Sequence, residues 1–145
     1  MFWDSSALVP ILVAETRSRE MSELLGRDRA AVVWWSSALE CRSALYRRWR
    51  ERALPETELN RALTRLEGLA ADVDQIAPTS RLKERAGRTL TAHALRAADA
   101  LQLAAALVWC GDTPGGESFV CLDDRLRDAA RDEGFEVLPV GPPFA

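Results

Sequence analysis

Asp4, Glu40, Asp99 and Asp123 are the residues of this sequence best suited to chemistry, although they lie in four separate segments. Asp4 directly follows the apolar run Met1-Phe2-Trp3, and Asp123 follows Phe119-Val120-Cys121-Leu122. In an open parallel sheet, ligand crevices lie beyond the carboxyl ends of the strands, so both side chains are placed to face one cleft. Each also suits a plainer role as the N-cap of the helix that follows. Asp99 lies in Arg96-Ala97-Ala98-Asp99-Ala100-Leu101-Gln102-Leu103, a helix so apolar that most of its faces must be buried. A carboxylate there needs a cation, a cluster of donors, an opening to solvent, or Arg96 one turn earlier. Glu40 stands in the first turn of a helix after a second strand, where a capping box with Ser37 is the competing reading. Together the four suggest one oxygen-rich site for a hard divalent cation, Mg2+ or Mn2+, which orients a water and stabilises charge on a phosphate. Clustered carboxylates repel one another unless such a cation sits between them. His93 is the only histidine, so no His/Cys set competes for zinc, and His93 is expected only to end or cap a helix.

The elements that must position these acids can be read from the apolar pattern. Strands are expected at Met1–Trp3, Ala31–Trp35, Phe119–Leu122 and Glu136–Leu138. Helices are expected over Ala7–Ala14 with Pro10 near the first turn, Ser18–Leu25, Ser37 to about Arg52, Pro55 to about Ala71, Thr79 or Ser80 to about Leu90, Arg96–Cys110, and Arg125 to Glu133 closed by Gly134. The stretch from Asp74 to Pro78 reads as an extended link without sheet pairing, and Gly111–Gly116 as a loop. Short apolar strands separated by helices predict an α/β fold: three layers, with a mainly parallel sheet of 4-5 short strands between helices, in a single domain over 1–145.

Composition bounds the function. At 145 residues with 48% hydrophobic and 28% charged residues, the chain has ordinary globular make-up and can bury its own core. Cys41, Cys110 and Cys121 lie in apolar runs without metal-ligand spacing and predict no disulfide framework. The absence of a signal-like N-terminus or a long uncharged apolar run predicts a cytoplasmic protein without a membrane span. A net charge of −3 gives no overall attraction to nucleic acid. Locally, Arg42, Arg47, Arg48, Arg50 and Arg52 crowd one stretch, read either as a solvated helix face or as a patch for phosphates or an acidic partner segment. Trp34, Trp35, Trp49 and Trp109 suit core and interfaces more readily than base stacking.

Four motifs in order are similar to those of PIN-domain ribonucleases, and above all to the VapC toxins of bacterial toxin–antitoxin pairs. They are Phe2-Trp3-Asp4-Ser5-Ser6-Ala7-Leu8, Ser36-Ser37-Ala38-Leu39-Glu40, His93 to Ala104, and Phe119-Val120-Cys121-Leu122-Asp123-Asp124-Arg125-Leu126. The resemblance covers nearly the whole chain. It implies a PIN-like α/β/α fold and an endoribonuclease that hydrolyses RNA phosphodiesters with Mg2+ or Mn2+. It also implies a homodimer and a cognate VapB-like antitoxin whose C-terminal segment covers the site. The family's acids fall on Asp4, Glu40, Asp99 and Asp123, with Ser5 as a supporting hydrogen-bond donor. Leu126 selects Asp123 over Asp124, and Asp124 is expected to cap the helix. Cys121 stands where the family commonly has Thr or Ser. Alternative readings are a PIN-like nuclease of RNA processing outside a toxin–antitoxin pair and a catalytically idle α/β binding module.

Overall fold

Parallel strands buried on both faces read as continuous apolar runs, and three of the strands here do so. In the computed structural model, which describes residues 1–141, the strands are β1 (Phe2–Trp3), β2 (Val32–Trp34), β3 (Asp74–Ile76), β4 (Ser118–Val120) and β5 (Glu136–Leu138). The last four residues of the expected 1–145 domain lie outside the described residues. The sheet order is β3-β2-β1-β4-β5 and every pairing is parallel. Phe2 pairs with Val32 on one side and Phe119 on the other, which makes β1 the central strand.

Alternation along these short strands divides the core in two. Phe2, Val32, Trp34 and Phe119 point to one face and pack against α5 (Ser80–Ala92), α6 (Ala97–Trp109) and α7 (Asp124–Glu133). Trp3, Val33 and Val120 point to the other, against α1 (Ser5–Leu12), α2 (Ser18–Arg27), α3 (Ser37–Arg50) and α4 (Glu56–Asp72). This is the expected three-layer α/β/α arrangement. Gly134 closes α7 with φ 106°, and a Cβ there would lie 3.3 Å from the Pro114 ring, so this position requires glycine.

The structure corrects several local expectations. Asp74–Ile76 is a paired edge strand, with Asp74, Gln75 and Ile76 in register with Val32, Val33 and Trp34. Its first two residues are exposed, so the backbone joins a sheet that its side chains do not advertise. Helix α1 begins at Ser5 because Asp4 is its N-cap, which puts Pro10 in the second turn and ends the helix at Leu12. Ser37 does not cap α3; Ser36 occupies the N-cap position and Ser37 is buried. Asp124 does not cap α7 either, since Asp123 fills that role and Asp124 is the first helical residue. No helix among the described residues is long and apolar enough to cross a membrane.

Candidate active site at the switch point of the sheet

From β1 the chain winds outward through β2 to β3 on one side, whereas β4 leads to β5 on the other. The order therefore reverses between β1 and β4, and a crevice opens beyond their carboxyl ends where the following helices depart to opposite faces. Asp4 ends β1 and Asp123 follows β4. The Asp4 amide donates to the Val120 carbonyl at 2.9 Å, fixing the two strand ends together. Glu40 in the first turn of α3 and Asp99 in the first turn of α6 approach from the two helical layers. All four acids line one cavity of about 850 Å³.

Each carboxylate is oriented by donors. Asp4 Oδ2 accepts from the Ser6 amide at 2.9 Å and from Ser6 Oγ at 2.5 Å, while the Cys121 thiol lies 3.6 Å away. Ser6 Oγ in turn accepts from the Leu122 amide at 2.9 Å, which ties Asp4 to the end of β4. Asp123 Oδ1 caps α7 through the Leu126 amide at 3.0 Å. Capping and facing the cavity are thus compatible for Asp4 and Asp123: one oxygen satisfies the helix, and Oδ1 of Asp4 and Oδ2 of Asp123 carry no hydrogen bond among the described residues. Glu40 is held hardest. It accepts from Ser5 Oγ at 2.8 Å, Ser36 Oγ at 2.7 Å and Gln102 Nε2 at 3.0 Å, so it turns away from the expected capping box. Ser5 therefore supports a carboxylate of the set. Asp124 lines only a smaller neighbouring cavity.

Electrostatics marks the cluster as short of positive charge. Asp4 is 4% exposed, and burial, reinforced by the charges of Glu40 and Asp99, raises its pKa from 3.8 to about 6 against the lowering effect of the Ser6 bonds. Burial also raises the Asp99 carboxyl, followed by the charge of Asp123; a backbone hydrogen bond from Arg96 works the other way, and the Glu40 charge adds to the rise. Arg96 thus eases Asp99 through its backbone amide and its charge, without a salt bridge between the two side chains.

The comparisons with known proteins decide the family. No family model matches the chain. Over 139 residues, however, it is 35% identical to Ribonuclease VapC45 of Mycobacterium tuberculosis (strain CDC 1551 / Oshkosh), covering 96% of this chain and 94% of the relative. The chain belongs to the VapC ribonuclease family. Ribonuclease VapC49 of Mycobacterium tuberculosis (strain ATCC 25618 / H37Rv) is similar to the same extent. The crystal structure of Mycobacterium tuberculosis VapC20, described as a sarcin-ricin loop cleaving toxin, superposes with a TM-score of 0.66 over 93% of this chain and 95% of that one. At 17% identity this second likeness speaks for the fold alone. The protein is accordingly an α/β ribonuclease of the VapC family.

Divalent cations of the hard class fit the residues of this VapC site. The donors are all carboxylate oxygens, Asp4 and Asp99 are held back from ionising by burial and by neighbouring carboxylates, and oxygens on Asp4 and Asp123 are unengaged among the described residues. Among the described residues no three such groups form a ready-made ligand cage.

Several supporting residues were not singled out from the sequence. Gln102 lies three residues after Asp99 on the same face of α6, and its amide donates to Ser37 Oγ at 3.1 Å as well as to Glu40. That spacing from an acid in an apolar helix was the signal available for it. Ser6 and Ser36 carried no signal beyond helix-start propensity. The arginine stretch divides: Arg47 and Arg48 line the acid cavity, Arg42 faces Glu67 of α4 at 3.6 Å, and Arg50 and Arg52 line no part of the cavity. None of the tryptophans lines it; Trp34 is core, Trp109 packs against the core, and Trp35 and Trp49 are exposed.

Proposed function

We propose that this VapC-family ribonuclease is a Mg2+- or Mn2+-dependent endoribonuclease that hydrolyses RNA phosphodiester bonds as the toxin of a toxin–antitoxin pair. The observation that carries the reading is the convergence of Asp4, Glu40, Asp99 and Asp123 on one cavity at the reversal point of the sheet. Asp4, Asp99, Asp123 and Glu40 would hold the cation between them, through direct carboxylate oxygens and retained waters, with Glu40 already engaged by three donors. A bound divalent cation supplies an activated water and neutralises charge on the phosphate and leaving oxygen. The protein's own part is positional. Ser6 fixes Asp4, the α7 N-terminus fixes Asp123, and Ser5, Ser36 and Gln102 fix Glu40, so the carboxylates meet an incoming phosphodiester without rearranging.

In this reading the chain acts as a single PIN-like domain in the cytoplasm, pairs with itself as a homodimer, and is inhibited by a VapB-like antitoxin covering the acids. The test is a cleavage panel with the purified chain: single-stranded RNA, a sarcin-ricin loop RNA of the kind named for VapC20, and matched DNA. RNA cut in Mg2+ or Mn2+, protected by a chelator, with DNA intact, is the expected result. RNA left whole in both metals, with no new RNA ends in cells expressing the chain, would remove it.

A further inference from the structure

The acid cavity does not end at the acids. Asp99, Leu122 and Asp123 also line a second cavity of about 520 Å³, so the two hollows adjoin across the Asp99 and Asp123 side chains. Each brings its own arginines. Arg17, ion-paired to Glu20, Arg47 and Arg48 line the first, and Arg96 and Arg125 line the second. We propose that the two cavities form one groove that grips a single RNA strand by its phosphates on both sides of the acids, through Arg47 and Arg48 at one end and Arg96 and Arg125 at the other. The proposal rests on the ribonuclease reading above and adds where the strand is held.

Three observations support it. Glu40, Ala44, Arg47 and Arg48 follow the i, i+4, i+7, i+8 stripe of α3, so one helix face carries a carboxylate at the centre and guanidinium groups about 10 Å further along. Arg47, Arg96 and Arg125 are exposed and have no carboxylate at ion-pair distance among the described residues; Arg27, Arg29, Arg50, Arg52 and Arg88 share that state, so what sets the three apart is their place on the rim of the acid cavities. Arg96 and Arg125 also occupy helix N-termini, the N-cap of α6 and the second position of α7, where a cation meets the positive end of the macrodipole. Such placement does not serve the helices. It does serve a phosphate chain, which guanidinium groups bind in paired hydrogen bonds. The need is evident from charge: the molecule is net negative and its centre is four carboxylates, so attraction for a polyanion must be local. Arg48 is only conditionally available, because it is ion-paired to Glu15 on the same cavity wall. Glu15 therefore competes with phosphate for it.

The test is binding of a fluorescently labelled single-stranded RNA of about 12 mixed nucleotides to the full chain in chelator, so that nothing is cut, over about 50 to 200 mM salt. Each lost phosphate contact lowers the slope of log K against log salt by about 0.7. Arg47→Ala with Arg48→Ala is expected to lower it by about 1.4, Arg96→Ala with Arg125→Ala by a similar amount, and the two losses to add. Glu15→Gln is expected to change binding in the opposite direction, strengthening it. Arg19→Ala with Arg61→Ala removes the same charge away from the groove and controls for net charge, with circular dichroism and melting curves confirming that every variant folds. A slope like the control's in either pair overturns the groove, as does a pair that loses an oligoglutamate peptide while keeping RNA, which would assign that end to an acidic protein segment. If the wild-type chain cuts RNA but the slopes do not move, the groove alone falls; if it neither cuts nor binds RNA, the ribonuclease reading falls with it.

Discussion

Two clusters of acids in this protein are built on opposite principles. Along α5, Arg85 reaches Asp112 beyond the end of α6 at 2.8 Å and Glu133 at the end of α7 at 3.0 Å, Arg81 adds a second cation to Asp112, and His93 Nε2 lies 3.0 Å from Glu133. Every carboxylate there has a basic neighbour, and the Arg85 guanidinium holds the Asp112 carboxyl below the usual range. At the switch point the carboxylates have hydroxyl, amide and backbone donors but no ion-paired cation, and Asp4 and Asp99 are pushed up instead. The same residue types thus close a fold in one place and leave an electrostatic demand in the other. Clustered carboxylates with raised pKa values are a pattern common at functional sites.

The comparison breaks most decisively through activity. Asp99→Asn keeps the side-chain shape and removes one charge from the acid cavity, so metal-dependent RNA cleavage is expected to fall by at least about 100-fold while the melting temperature holds. Glu133→Gln, made in the clasp, is expected to leave cleavage within about twofold and to lower stability instead. If the two substitutions affect cleavage alike, the division between the clusters is wrong.

Stability against pH sharpens it next. The native Asp4 carboxyl has a pKa near 6 against an ordinary 3.8. Below about pH 4 both folded and unfolded chains carry that proton and the site is neutral to stability. Between there and about pH 6 the native state binds more protons than the unfolded one, so stability falls as pH rises. At about 1.4 kcal/mol per pH unit the loss approaches 3 kcal/mol above pH 6 in metal-free protein. Asp4→Asn is expected to abolish that fall and to melt higher than wild type in chelator at pH 8, and added Mg2+ is expected to narrow the gap by stabilising wild type alone. A wild-type melting temperature flat from pH 4 to 7 in chelator would contradict the cause given for the Asp4 shift.

What the sequence made legible follows the same division between strong and weak signals. Apolar runs and breakers revealed all seven helices of the described residues to within a few residues and four of the strands, because burial forces side chains to declare the element. Strand β3 escaped: an edge strand needs only its backbone, and Asp74 and Gln75 are exposed. The caps were misjudged by one residue at Ser37 and Asp124, where neighbouring serines or aspartates compete for one amide and local pattern cannot rank them. The acids could be named from strand ends and from a charge in an apolar helix. The orientation of Glu40 by Ser5 and Gln102 depends on contacts across 35 and 62 positions of sequence, which no local spacing encodes.

The smallest effect tests the clasp itself. Arg85 is well packed, with its side chain 15% exposed, but its partner Asp112 is 40% exposed, so solvent screens that half of the interaction. Arg85→Met retains much of the apolar stem and leaves Asp112 and Glu133 without their shared cation, a loss on the order of 1 kcal/mol. Its pH dependence runs opposite to that of Asp4. Because the Asp112 carboxyl is lowered in the native state, its contribution is present above the ordinary carboxylate range and is lost as pH falls through it. Wild type and Arg85→Met should therefore differ in melting temperature at neutral pH and converge near pH 3, whereas wild type and Asp4→Asn converge near pH 4 and separate as pH rises. Cleavage by Arg85→Met should match wild type, since neither cavity at the acids includes it. A gap between wild type and Arg85→Met that widens in acid would mean that the guanidinium is held there by packing and not by its carboxylates.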